Sequence, residues 1–259
     1  MTDPRDWRQA ARAGRFQEAL RLRTVAVGEG AEPGDVDEAS TLAALADVQD
    51  ALRGKAWKTA ARRAGEVESW PEWLDGDRVD SDVSTLTAAG AALERRDVDT
   101  ALEALAALGD LPAGPFEAER LTQLGTARIL DGEAEQAEAC FTRALELDPQ
   151  HLRALVNLGN VALETGDLDA AIQRYEAALR IDDAFANAHH NLGVAYRKRG
   201  QIGRSVAALR RAQRAERGRN AREAREDVRA WREQAGARWI PRLLWAAVGA
   251  ALLWWVLSR

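Results

Sequence analysis

Residues 157–179 read NLGNVALETGDLDAAIQRYEAAL, and the same pattern stands 34 residues earlier and 34 residues later. Leu124-Gly125 recurs as Leu158-Gly159 and again as Leu192-Gly193. Gly132 recurs as Gly166 and Gly200, and Ala144 as Ala178 and Ala212. Ala137 recurs as Ala171 and then as the equally small Ser205. Phe141, Tyr175 and Leu209 keep one position bulky and apolar.

Each unit reads as two helices. In the middle unit the pattern predicts one helix over Leu152–Thr165 and a second over Asp167–Ile181, with Gly166 in the turn, where positive φ is tolerated. Leu158, Ile172, Tyr175 and Leu179 fall on apolar stripes at helical spacing. Gly159 and Ala178 lack bulk, so two helices can approach there. One such hairpin cannot bury its apolar face alone; neighbours stacked on it can, and the stack forms a solenoid.

The segments Asn157-Leu158-Gly159-Asn160, Gly166-Asp167, Ala171-Ile172, Tyr175 and Ala178-Leu179 closely resemble the tetratricopeptide repeat family. The first unit, roughly Ala118 to His151, ends in Leu147-Asp148-Pro149, also a hallmark of that family. The closing Pro149 becomes Asp183 in the middle unit and Arg217 in the third, so the last helix is expected to run on. The resemblance covers residues 118–217. It implies an all-α fold, a right-handed superhelix of stacked antiparallel helical hairpins.

The chain is rich in Ala, Leu, Arg and Glu and poor in Val and Ile, which favours helices over strands. Residues 1–117 read as less regular hairpins of the same kind: one turning at Gly14, one around Gly54 within Ala43–Ala64, and one near Arg96-Asp97 within Leu86–Leu108. Loops are expected at Gly28–Gly34, Trp70–Asp82 and Gly109–Pro115, which are rich in Gly, Pro and Asp. Cys140 is the only cysteine, so no internal disulfide can form; it reads as a packed residue of a second helix.

Charge divides the chain. Residues 1–196 carry 20 basic and 36 acidic side chains, whereas residues 197–238 carry 14 basic and 5 acidic. The basic stretch leads into Leu243–Leu257, which contains no charged, amide or hydroxyl side chain. That strict core extends about 22 Å as a helix. Trp239 to Arg259 extends roughly 31 Å, enough to cross a hydrocarbon layer. Arg238, Trp239, Arg242 and Trp245 toward one end, and Trp254 and Trp255 toward the other, suit the two membrane interfaces. Residues 218–238 are therefore expected to form a basic juxtamembrane helix and 239–259 a transmembrane anchor, with the body in the cytoplasm. The same arginines could bind nucleic-acid phosphates, but interleaved Glu223, Glu226, Asp227 and Glu233 and the adjoining apolar segment favour anionic lipid.

No constellation for catalysis emerges, and neither a cofactor nor a metal is expected. Gly28, Gly30 and Gly34 lack dinucleotide-loop spacing. Asp75, Asp77, Asp80 and Asp82 lack the Gly and Glu of a calcium loop and read as a solvated acidic loop. Adjacent His189 and His190 point to different faces of a helix, and His151 falls at a repeat junction. In the family resembled, first helices line a concave groove. That implies a partner-binding surface of Thr122, Thr126, Arg153, Asn157, Asn160, Glu164, Asn187, His190, Asn191, Arg197 and Lys198. The Asn side chains can hold an extended peptide backbone or can serve only the fold. Some family members clamp a chaperone's terminal carboxylate with Lys and Arg; Thr122, Thr126, Asn157, Asn187 and Asn191 stand at those places, which argues against that partner. The expected function is a membrane-tethered adaptor or scaffold for a protein partner, with self-association through the membrane helix also open. The other reading is a regulatory or sensing subunit that binds a signalling or nucleic-acid-binding protein through acidic N-terminal helices.

Overall fold

The computed structural model describes residues 7–12, 14–28, 36–67, 70, 74–109, 116–221, 224, 225 and 228. All regular structure among them is helical. The helices are α1 (Trp7–Arg12), α2 (Phe16–Gly28), α3 (Val36–Arg53), α4 (Trp57–Ala64), α5 (Gly76–Glu94), α6 (Val98–Ala107), α7 (Glu117–Leu130), α8 (Ala134–Leu147), α9 (Leu152–Thr165), α10 (Leu168–Ile181) and α11 (Ala186–Lys198). A twelfth, α12, is described over 202–221. Consecutive helices pair as hairpins, and each hairpin packs on the next. The first helices α5, α7, α9 and α11 also touch one another in series, so they form one layer of the stack.

Six turns close six hairpins, and each places one residue in the left-handed region. These are Gly14, Lys55, Arg96, Gly132, Gly166 and Gly200, with φ of 72°, 59°, 60°, 85°, 89° and 79°. Four are glycine, for which this conformation carries no Cβ penalty; Lys55 and Arg96 adopt it at a cost. Asp167 is not the first helical residue of α10 but its cap, because its carboxylate accepts the Ala170 N–H at 2.9 Å. The expected loop over Trp70–Asp82 is shorter than the composition suggests. Asp75 caps α5 by accepting the Arg78 N–H, and Asp77, Asp80 and Asp82 lie within that helix, where early acidic residues complement its positive end.

Within each repeat unit a glycine of the first helix meets a bulky side chain sixteen positions later. An added Cβ at Gly125, Gly159 or Gly193 would stand 2.6, 2.5 or 2.8 Å from Phe141, Tyr175 or Leu209. Phe141 and Tyr175 are fully buried. In the second and third hairpins the device takes another form: Gly90 of α5 receives the indole of Trp57 from the preceding helix α4. Ser205 replaces the small Ala of the other units without leaving its hydroxyl unpaired, since Oγ donates to the Gly193 carbonyl at 2.7 Å.

The buried apolar residues form two large clusters, joined along the stack by three smaller ones. One gathers the first three hairpins around Phe16, Leu42, Leu45, Leu52 and Leu86, and reaches Phe116 just before α7. The rings of Phe16 and Phe116 lie 5.7 Å apart. The other surrounds Tyr175 and Leu192 in the last two hairpins.

The segment 239–259 and most of 218–238, with Arg238, Trp239, Arg242, Trp245, Trp254 and Trp255, lie outside the described residues. Among the described residues no helix is long and apolar enough to cross a membrane.

Two outcomes test this packing. Arg96→Gly should stabilise the fold and Gly166→Ala destabilise it, each by ~1 kcal/mol, because only the backbone cost at the turn changes. Gly159→Ala should cost about 1 to 3 kcal/mol, because the Tyr175 ring has no free space to enter. Denaturant titrations of each variant read both effects; a Gly159→Ala midpoint equal to wild type contradicts the assigned packing.

Candidate partner-binding groove

The expected groove positions lie on α7, α9 and α11, and their contacts divide them into three groups. Thr122 and Arg153 are structural. Thr122 is fully buried, donates to the Ala118 carbonyl at 2.8 Å, and lies 3.4 Å from His151 Nδ1. Arg153 is 8 % exposed. Its Nη1 donates to Glu119 Oε1 at 2.6 Å and to the Leu52 carbonyl at 3.2 Å, and its guanidinium lies 5.8 Å from the Trp57 ring. Neither residue is offered to a partner, a correction to the sequence expectation.

Their burial belongs to one polar network. Glu119 of α7 is 3 % exposed and also accepts from Gln123 Nε2 at 2.9 Å. His151 Nδ1 accepts the Ala154 N–H as the cap of α9, so the hydrogen sits on Nε2, which donates to Glu119 at 3.1 Å. Burial alone would raise the Glu119 carboxyl. The Arg153 charge, with His151 and the Gln123 amide, overcomes this and holds it at about 2. Beside the network, Arg53 bridges Asp50 and Asp148, so a second ion pair joins the α3–α4 hairpin to the α8–α9 junction. His151 is thus a capping and network residue, which its place at a repeat junction alone does not reveal.

The second group is a half-buried amide ladder. Asn157 Nδ2 donates to Thr126 Oγ1 at 3.3 Å, and Thr126 donates to the Thr122 carbonyl. Asn160 Oδ1 accepts from both Tyr175 Oη and Asn191 Nδ2 at 2.8 Å. These bonds join α7 to α9 and α9 to α11. The Asn residues therefore support the stack, and each still keeps amide atoms uncommitted. Replacing Asn160 and Asn191 together would disturb packing as well as any binding surface, because Tyr175 Oη would lose its acceptor.

The third group is exposed. Glu164, Asn187, His190 and Arg197 make no side-chain hydrogen bond or ion pair among the described residues. Lys198 is exposed and reaches the Leu163 carbonyl at 3.3 Å. His189, by contrast, is buried, with Nε2 2.8 Å from the Asp183 carbonyl. Among the described residues no cluster of His, Cys, Asp and Glu has the arrangement of a metal site. Cys140 is half-buried in α8, and burial pushes its thiol up.

A larger opening lies at the edge of this layer, and the sequence does not reveal it. It is a cleft of about 1330 Å³ between the first two hairpins on one side and the α8–α9 junction, the α10–α11 junction and α12 on the other. Arg153 and Asn187 are the only expected groove residues on its walls.

Residues 159–200 match a family model described as TPR repeat, and residues 128–178 and 186–218 match two described as tetratricopeptide repeat. That part of the chain carries tetratricopeptide repeats. No curated protein matches the chain. Among solved structures, one of MamA is 24 % identical, covering 68 % of this chain and 98 % of its own, with a TM-score of 0.45. A second MamA structure is 22 % identical, with coverages of 70 % and 94 % and a TM-score of 0.43. YrrB, described as a TPR protein with an unusual peptide-binding site, is 18 % identical, with coverages of 78 % and 93 % and a TM-score of 0.42.

The buried network has a pH signature. Because the Glu119 carboxyl is depressed from 4.5 to about 2 on folding, its stabilisation is present above the unfolded value and is lost as pH falls through that interval. Glu119→Gln should cost about 3 to 5 kcal/mol at neutral pH, since Arg153 remains buried without its partner charge. It should also flatten the stability profile between pH 4.5 and about 2. Urea midpoints measured across that range check both statements.

Proposed function

We propose that the protein is a protein-interaction scaffold that holds a segment of a partner against the first-helix layer of its repeats. The observation that carries this reading is the exposed set Glu164, Asn187, His190 and Arg197, beside a partly satisfied amide ladder. A stack of this kind gains nothing in stability from unpaired polar side chains on that layer. An extended peptide could use the remaining amide donors and acceptors. We read the first three hairpins as divergent units of the same repeat, on the strength of their positive-φ turns and, for the third, of the place of α5 in the first-helix layer. The division into hairpins over 1–117, three repeats over 118–217, a basic segment over 218–238 and an apolar segment over 239–259 follows from that reading.

Membrane tethering is part of the proposal and is supported by the sequence of 243–257 and the arginines that precede it. Tethering would raise the effective concentration of a captured partner near the bilayer without adding a contact. The full chain should stay with membranes after alkaline carbonate extraction, and a chain ending at residue 221 should not.

The groove itself is tested with surface changes that spare the ladder. A photo-crosslinking residue at position 190 or 164 of the full chain should capture a discrete partner in native membranes. Replacing Glu164, His190 and Arg197 with Ala should abolish that product, while changing stability by no more than about 0.5 kcal/mol per site. Crosslinking confined to α1–α6 would move the binding surface to the N-terminal hairpins and defeat this reading.

A further inference from the structure

The cleft between the two ends of the stack has an electrostatic character opposite to that of the body around it. Residues 1–196 are strongly acidic overall. On the cleft walls, however, the side chains of Arg21, Lys55, Arg211 and Arg214 make no hydrogen bond or ion pair among the described residues. The wall carboxylates are mostly spent. Glu18 pairs with Arg15 at 2.9 Å, Asp50 and Asp148 share Arg53, and Asp182 caps the Ala184 N–H at 2.9 Å. Among the described residues, Asp183 is the one wall carboxylate without a partner.

The sign comes from side chains: the first residues of α2, α9 and α11 line the cleft, but so do the ends of α3 and α10 and the C-cap of α8, so the helix dipoles offset one another. Phe185, before α11, provides no side-chain cap. The walls are also held in place before anything binds. Arg53 ties the second hairpin to Asp148, and Gln49 Nε2 holds the Gly14 carbonyl at 2.6 Å. At about 1330 Å³ the cleft exceeds the roughly 300 to 1,000 Å³ of a small-molecule pocket and suits a length of chain.

We propose that this cleft is a binding site for an acidic peptide segment of a partner protein, separate from the first-helix groove. Guanidinium groups of α2 and α12 would take its carboxylates from opposite walls, as paired N–H donors that an amide or hydroxyl could not replace. The unpaired cations on the walls would set the sign preference, and the acidic exterior would repel the same segment elsewhere.

The test is fluorescence anisotropy with the full-length chain and labelled peptides of alternating Glu and Ser, and of alternating Gln and Ser. The Glu-Ser peptide should bind at least about tenfold more tightly, and added salt should weaken it. Arg211→Glu with Arg214→Glu should weaken it by at least about tenfold without changing the melting profile, because both residues are exposed. Asp183→Lys should strengthen it. The Glu164, His190 and Arg197 triple replacement should leave it unchanged, which separates this site from the groove. Equal affinity for the two peptides overturns the proposal, as does binding that ignores the Arg211 and Arg214 reversals. So does binding of a single-stranded oligonucleotide that depends on those two arginines when the Glu-Ser peptide does not bind.

Discussion

A carboxylate and a guanidinium buried together, Glu119 and Arg153, hold the two parts of this molecule in register. Neither group could stay charged in that place alone. Arg153 satisfies Glu119, spends a second hydrogen bond on the carbonyl of Leu52, and lies beside Trp57. The pair therefore fixes the α3–α4 hairpin against the start of α9, with the third and fourth hairpins between them in sequence. His151 serves the same network while capping α9, so the repeat junction and the ion pair are set by one imidazole. The cleft exists because these hairpins are held at this separation.

The repeats themselves obey a local rule. A glycine on one helix and a ring or leucine sixteen residues later fit as a pair, and the same pair recurs unit after unit. Such a rule is visible in a sequence because both members lie inside one period. For that reason the two helices of the middle unit, α9 and α10, and the turns at Gly132, Gly166 and Gly200 could be read from the residues alone. The second and third hairpins depart from that rule. Their turn residues are Lys55 and Arg96, not glycine, and the cavity of Gly90 is filled from the previous helix by Trp57. The acidic run Asp75 to Asp82 looked like a loop by composition; a single capping carboxylate made it the first two turns of a helix.

Which helix of each unit carries the expected groove residues follows from the repeat. Which of its polar residues remain available depends on partners a hundred positions away, and no local pattern encodes that. Arg153 looked like a cation of a binding surface and is a buried strut. Asn160 and Asn191 looked equally suited to binding and to support, and the Tyr175 hydroxyl shows that they at least support. The cleft had no sequence signal, because its walls come from five separate stretches of chain.

The ion pair between Arg53 and Asp148 changes how such an array should come apart. In a linear stack each hairpin leans only on its neighbours, so the ends fray first and the middle outlasts them. Here a contact between residues 95 apart in sequence joins the second hairpin to the junction of the fourth and fifth. Loosening either side exposes the same buried charges, so the hairpins between them share one cooperative unit. Closing so long a loop is slow relative to forming a single hairpin. The repeats can assemble one by one, and the clasp is made late, when most of the architecture already stands.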